Sequence, residues 1–183
     1  MDDWANDLQK LWDFAWQKLH RGAADAKSPL HRPAFATAGR EGGAEARIVV
    51  LRSASPSRHT LEVHTDAASA KVAELVADPR ATLLFWDPRS NLQLRARVRV
   101  EMVTGDAEAW EQLGEGARMN YGGTPATGTG IGAPDAYDKT PARDRHTRLI
   151  GHLQSLDAVY LGPEHRRALY SRDDGFAGTW LAP

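Results

Sequence analysis

The sequence predicts a mainly β chain with peripheral helices, its strands forming a closed or partly closed antiparallel barrel. Three observations carry this. From Asn91 to Thr104 residues alternate almost without fault: Leu92, Leu94, Ala96, Val98, Val100 and Met102 share one face, while Gln93, Arg95, Arg97, Arg99 and Glu101 share the other. About seven short strand-like segments follow one another with turn residues between them. Helical periodicity is confined to the N-terminus and two short internal stretches.

The elements follow in order. Between residues 3 and 20, Trp4, Leu8, Leu11, Trp12, Ala15, Trp16 and Leu19 recur at three- and four-residue spacing, the stripe of a docked amphipathic helix. Tryptophans at that spacing read as core or subunit interface, because an indole buries a large area with one polar atom to satisfy. "AADAKSPLHRPAF", with Pro29 and Pro33, is a connector, and "FATAGREGGAEARIVVLRSA" reads as two strand arms around a Gly-rich turn. "TLEVHT" alternates, "SAKVAELVA" is a short helix stopped by Asp78-Pro79, and "RATLLFW" is a continuous apolar strand. After the long strand, "DAEAWEQLGEGARMNYG" reads as a helix running into a Gly-rich loop at about residues 120–145. "LDAVYLG", "RRALYSR" and "FAGTWLAP" complete the strands, the last two joined by Arg172-Asp173-Asp174-Gly175. One domain over residues 1–183 accommodates all of this.

Composition narrows the function. The 183 residues contain no cysteine, which removes disulfides, thiolate metal sites and cysteine nucleophiles and fits a reducing, cytoplasmic compartment. The opening "MDDWANDLQKLWDFAW" is acidic and amphipathic where a signal peptide is basic and then apolar, and no apolar run is long enough to span a membrane. With 23 basic and 24 acidic residues the net charge is −1, so no global field recruits nucleic acid or an anionic membrane. Arg95, Arg97 and Arg99 lack interleaved aromatics and read as a solvated barrel face or a subunit contact. His20, His31, His59, His64, His146, His152 and His165 show no metal-ligand spacing, and none is expected to bind metal. The Gly-rich loop has no strand leading into it, so it fails the dinucleotide and P-loop fingerprints and reads as a surface loop or lid.

One stretch points to chemistry. Arg47 and Arg52 end the apolar run "RIVVLR"; five apart on a strand, they point to opposite faces unless a bulge intervenes. The strand "TLEVHT" then delivers His64 and Thr65 to a helix start near Ser69 and Lys71. A helix start offers unpaired N–H groups and the positive end of its dipole, and a hydroxyl and an ammonium there complete a monophosphate site. Ser69 also reads simply as a cap and Lys71 as a solvated charge.

At these residues the sequence resembles the pyridoxamine 5′-phosphate oxidases, more closely their uncharacterised flavin-binding branch. The matching pieces are "RIVVLR", "HTDAASAK", "RATLLFWDP", "LQLRARV" and the closing "LYSRDDGFAGTWLAP". The resemblance implies an FMN-binding split antiparallel β-barrel, a homodimer with the flavin at the subunit interface, and FMN-dependent oxidation or reduction of a small molecule. It implies that Arg47, the backbone of Ile48, Val49, Val50 and Leu51, and Arg52 lie along the flavin, with His64 beside Thr65, Ser69 and Lys71 at its phosphate. Gln93 would reach the ring, with Tyr160 and Arg167, or its neighbour Arg166, nearby. Substrate would meet Arg52, His165 and Arg166. Where the family oxidases carry a lysine this chain has Arg52, a planar fork in place of a point charge, and where they carry Arg-x-His it reads "PEHRRALY". Oxidation of pyridoxamine phosphate itself is therefore not expected. A non-catalytic flavin carrier and a split-barrel dimer without cofactor are the alternatives. If Arg47 and Lys71 serve only the ligand, replacing both should barely change fold stability.

Overall fold

The computed structural model describes residues 3–183. A single 3₁₀ turn, Asp3–Asn6, precedes helix α1, Leu8–Ala24. The helix therefore starts later than its apolar stripe suggests, because the Asp7 carboxylate accepts the Lys10 N–H at 2.8 Å and caps a new start, and it ends four residues further on, at Ala24. Strands β1 (Ala34–Ala38), β2 (Ala44–Ile48), β3 (Leu51–Ser55) and β4 (Thr60–Asp66) follow, then α2 (Ala70–Ala77). Next come β5 (Arg80–Asp87), β6 (Leu92–Thr104), α3 (Ala107–Glu111) and α4 (Glu115–Arg118). A small pair, β7 (Gly123–Thr124) and β8 (Asp138–Lys139), forms the stalk of the Gly-rich loop. Strands β9 (His146–Tyr160), β10 (Arg166–Ser171) and β11 (Thr179–Leu181) close the chain.

Every strand pairing is antiparallel. The main sheet runs β11-β10-β9-β6-β5-β1-β2, with β4 pairing to the first half of β9 and β3 to β4. One long strand thus serves two partners on one edge: residues 146–152 of β9 face β4 and residues 155–160 face β10. A bulge at Gln154 shifts the register between those halves, where Arg97 pairs Ser155 and Val98 pairs Leu153. The sheet is not closed by hydrogen bonds; its outer strands β2 and β3 are joined through Val49-Val50. This is the split antiparallel barrel that the sequence suggested.

The barrel interior is apolar. Leu92, Leu94, Ala96, Val98 and Val100 of β6 meet Leu153, Leu156 and Ala158 of β9, with Phe85, Leu83, Phe35 and Leu51 completing the filling. α1 packs against β3 and presents Leu11, Ala15, Trp16 and Leu19 to this core. Trp12 stacks on Phe176 at 5.3 Å, the Tyr170 hydroxyl donates to the Leu8 carbonyl at 2.7 Å, and Lys18 pairs with buried Asp87 at 2.8 Å. The tryptophan stripe is thus largely core.

Two sequence expectations change. "RIVVLR" is two strands that turn at Val49-Val50, and the β3–β4 register slips between Leu51 and Ser53, leaving Arg52 at a bulge. The stretch after Asp106 is two short helices, because Gly114 interrupts the run before Glu115. Gly122 has φ +109, and a Cβ there would lie 2.3 Å from the Thr140 carbonyl, so only glycine lets the Gly-rich loop leave its stalk.

Candidate functional site

The residues at the start of α2 form a buried polar cluster. Thr65 is buried one residue before the end of β4, and residues 67–69 turn the chain into α2. Ser69 occupies the N-cap position but makes no cap bond; its Oγ lies 3.0 Å from Thr65 Oγ1. The Lys71 ammonium donates to the same Thr65 oxygen at 2.9 Å. Burial and the nearby Arg47 charge lower the Lys71 pKa, against Glu74 and Asp66, which raise it. Two half-buried cations that sense one another's charge, with two hydroxyls and a helix start, form a donor set for an anion.

Arg47 is not free on this site. It reaches from β2 to α2, donating to Glu74 Oε2 at 2.9 Å and to Thr37 Oγ1 at 2.5 Å, and Thr37 itself donates to Glu74 at 2.5 Å. The Glu74 side chain is only 7% exposed. A groove of about 410 Å³ opens beside it, lined by Arg40, Glu41, Gly42, Glu45, Ala70, Ala73 and Glu74.

Asp66 ties the cluster to the loop region. Its Oδ1 accepts from Ala68 N–H at 2.8 Å and from Arg145, and its Oδ2 accepts from Gly122 N–H at 2.8 Å. Burial alone would raise the Asp66 pKa; these donors outweigh it and hold the carboxyl below its ordinary value.

A second polar system covers the outer face of β4 and β9. His64 Nε2 lies 2.8 Å from Glu62 Oε1, and its Nδ1 lies 3.1 Å from His146 Nε2. Arg148 clamps Glu62 with two bonds and reaches Asp106 Oδ2 at 2.6 Å. Against burial, which alone raises it, hydrogen bonds from His64 and Arg148 bring Glu62 down to about 2. With Glu62 accepting from His64 Nε2–H, the network assigns His146 as donor to His64 Nδ1, leaving His146 Nδ1 bare. That atom is buried and has no hydrogen-bond partner among the described residues. Burial first, then the electrostatic influence of His64 and Arg148, holds His146 down at about 4, opposed by Asp106 and Glu62.

This yields a pH prediction. The unfolded chain protonates His146 near 6.5 and the folded one near 4, so its stabilising contribution is full above pH 6.5 and is lost as pH falls toward 4. The loss amounts to up to about 3 kcal/mol. Denaturant unfolding at pH 7.5 and 4.5 should show it, and His146→Phe should flatten the difference.

The sequence-selected residues fall into three groups. Arg47, Thr65, Ser69 and Lys71 converge at the start of α2, with Ile48, Val49, Val50 and Leu51 on the adjoining β2–β3 corner. Arg52 and His64 line a separate cleft of about 460 Å³ between β3–β4 and α3, which also includes Arg58 and Arg148. There Arg52 adjoins the buried Tyr121 hydroxyl, whose pKa burial raises and Arg52 lowers. Gln93 lies on the outer face of β6 between Trp86 and Val159. Tyr160 ends β9 with Trp4 against its ring, at 5.1 Å. Arg167 shares buried Asp157 with Arg95, and Arg166 binds Glu164 and Asn6. His165, Arg166 and Arg167 line a third cleft with Trp180. Among the described residues no hydrogen bond or ion pair joins Gln93 or Arg167 to the cluster at α2.

Sequence reading missed Thr37, Glu74, Asp66, Glu62, Arg145 and Arg148. Asp66 had a local signal, since an Asp directly after Thr65 can cap the turn that opens α2. Glu62 had one as well, lying two residues before His64 on the same face of β4. Thr37, Glu74, Arg145 and Arg148 act through partners on other elements, where spacing along the chain carries no signal.

Comparison with known proteins bears on this arrangement. Residues 29–147 match the model of a family described as pyridoxamine 5′-phosphate oxidase. A curated pyridoxine/pyridoxamine 5′-phosphate oxidase from Microcystis aeruginosa is 33% identical over 88 residues, covering 48% of this chain and 40% of that protein. The chain therefore matches less than half the length of that relative. Among solved structures, an FMN-binding protein related to pyridoxamine 5′-phosphate oxidase from Nostoc punctiforme superposes with TM-score 0.76 at 21% identity, over 94% of this chain and 97% of that one. PhzG from Burkholderia lata, solved with tetrahydrophenazine-1-carboxylic acid, gives TM-score 0.69 at 18% identity, over 96% and 91%. These two similarities are of fold.

Proposed function

Because the chain belongs to the pyridoxamine 5′-phosphate oxidase family, we propose that it binds FMN and acts as an FMN-dependent oxidoreductase on a small molecule other than pyridoxamine phosphate. The observation that carries this reading is the cluster of Thr65, Ser69 and Lys71 at the start of α2, with the Arg47 charge beside it. Its chemistry suits a phosphomonoester: Lys71 and Arg47 supply charge, while Ser69, turned away from capping, and Thr65 supply hydroxyls. FMN, when bound, supplies the electron-transfer chemistry. The protein's part is to hold the phosphate at Lys71 and to lay the β2–β3 corner along the cofactor. Arg52 and His64 line the neighbouring cleft, where a substrate of this class would enter. Arg52 in place of the family lysine argues against pyridoxamine phosphate, because a guanidinium makes a wider, planar contact.

The same reading includes a homodimer. Ile48, Leu84 and Trp86 are 65%, 41% and 43% exposed on the outer faces of neighbouring strands, an apolar strip running toward Gln93. A second copy on that face would cover the strip and bring its own Gln93 and Arg167 toward the first copy's flavin. The test is a titration of the protein with FMN followed by flavin fluorescence, then reduction of the bound flavin by NADPH and reoxidation. Saturable quenching with turnover supports the oxidoreductase; binding without reduction leaves a flavin carrier; no binding overturns the proposal.

A further inference from the structure

We propose that Glu74 is a specificity residue of the anion site, a carboxylate that shares Arg47 with the ligand phosphate and so limits the site's preference for FMN over unphosphorylated flavin. This rests on the flavin reading above and adds a determinant to it. The geometry puts Glu74 inside the cluster: its Oε2 accepts from the Arg47 guanidinium at 2.9 Å and from Thr37 at 2.5 Å. It is one helical turn beyond Lys71 and also lines the groove at Ala70 and Ala73, beside the start of α2. Arg47, Lys71 and Glu74 together carry a net charge of +1, the arithmetic being two cations less one carboxylate.

A phosphomonoester at neutral pH carries nearly two negative charges. It meets a site whose attraction is cut by a fixed negative charge within a few ångströms, in a half-buried setting where such charges are poorly screened. The contribution of Arg47 to phosphate binding is likewise divided, because the guanidinium bonds already made to Glu74 and Thr37 compete with new ones. Riboflavin has no phosphate, so Glu74 should leave its affinity unchanged.

The test compares FMN and riboflavin binding, by flavin fluorescence quenching, in the parent and in Glu74→Gln. Glutamine keeps an oxygen for Arg47 and Thr37, which share one carboxylate oxygen, and removes the charge. The expected result is FMN affinity about tenfold tighter with riboflavin affinity unchanged within about twofold. Glu74→Met is a second neutral variant and should tighten FMN in the same direction, so that either variant decides the matter if the other does not fold. A parent that binds FMN while both variants bind it equally or more weakly overturns the inference and leaves the flavin reading intact. Equal shifts for FMN and riboflavin overturn it too, since they report reshaping of the site rather than charge. A parent that binds neither flavin overturns both readings.

Discussion

Replacing Arg47 and Lys71 together by alanine is expected to weaken FMN binding by roughly a hundredfold or more, since two charge-assisted contacts to a phosphate contribute about 1.5–3 kcal/mol each. Sequence reasoning alone expects such a variant to keep its stability, both residues reading as surface groups devoted to a ligand. The structure changes that expectation. Arg47 is the cationic partner of Glu74, whose side chain is 7% exposed, and its removal leaves that carboxylate with only the Thr37 hydroxyl. The loss should be about 1–3 kcal/mol of fold stability. Lys71→Ala alone avoids this, because the ammonium donates to Thr65, which keeps Ser69 as a partner. Thermal unfolding beside FMN titration separates the effects: Lys71→Ala should lose affinity with a nearly unchanged melt, and the double variant should lose both.

The largest stability effect is expected at Asp66. Its carboxylate, in a residue 7% exposed, holds the Arg145 guanidinium and the N–H groups of Ala68 and Gly122. Asp66→Ala strands all three donors at once, and removing one partner of such a buried pair costs about 3–5 kcal/mol. For a chain of this size that is a fall in melting temperature of roughly 10 °C. Because the Ala68 bond shapes the turn before Ser69, FMN affinity should fall as well. Asp66→Asn keeps one acceptor oxygen and should lie between the two. A melt of Asp66→Ala within a degree of the parent would show that Arg145 and the turn find other partners.

The legible parts of this protein were those governed by local periodicity. In β6 the inward row Leu92, Leu94, Ala96, Val98 and Val100 is buried as its alternation requires. Asp78-Pro79 ends α2 at Ala77. Arg172-Asp173-Asp174-Gly175 leaves β10 as expected, with Gly175 left-handed at φ +67, but as a 3₁₀ turn that opens a seven-residue connection, 172–178, in place of a tight hairpin, and β11 begins only at Thr179. The proximity of Thr65, Ser69 and Lys71 was legible for the same reason, because a strand end and the next helix start are neighbours along the chain. What was hidden depends on partners far apart in sequence. Nothing along α2 singles out Glu74; β1 and β2 bring Thr37 and Arg47 onto it. "RIVVLR" reads as one strand until the bend at Val49-Val50 and the Arg52 bulge direct its two arginines to different sites. Likewise, His64 and His146 are 82 positions apart, and only the β4–β9 pairing joins them.

The central claim is that the cluster at the start of α2 holds a flavin phosphate, and equilibrium dialysis of the parent protein against FMN and against riboflavin tests it most directly. If Lys71, Arg47, Thr65 and Ser69 grip the phosphate, FMN should bind roughly tenfold or more tighter than riboflavin, with the advantage shrinking as inorganic phosphate is added. Equal affinity for the two flavins, unmoved by phosphate, would contradict the account.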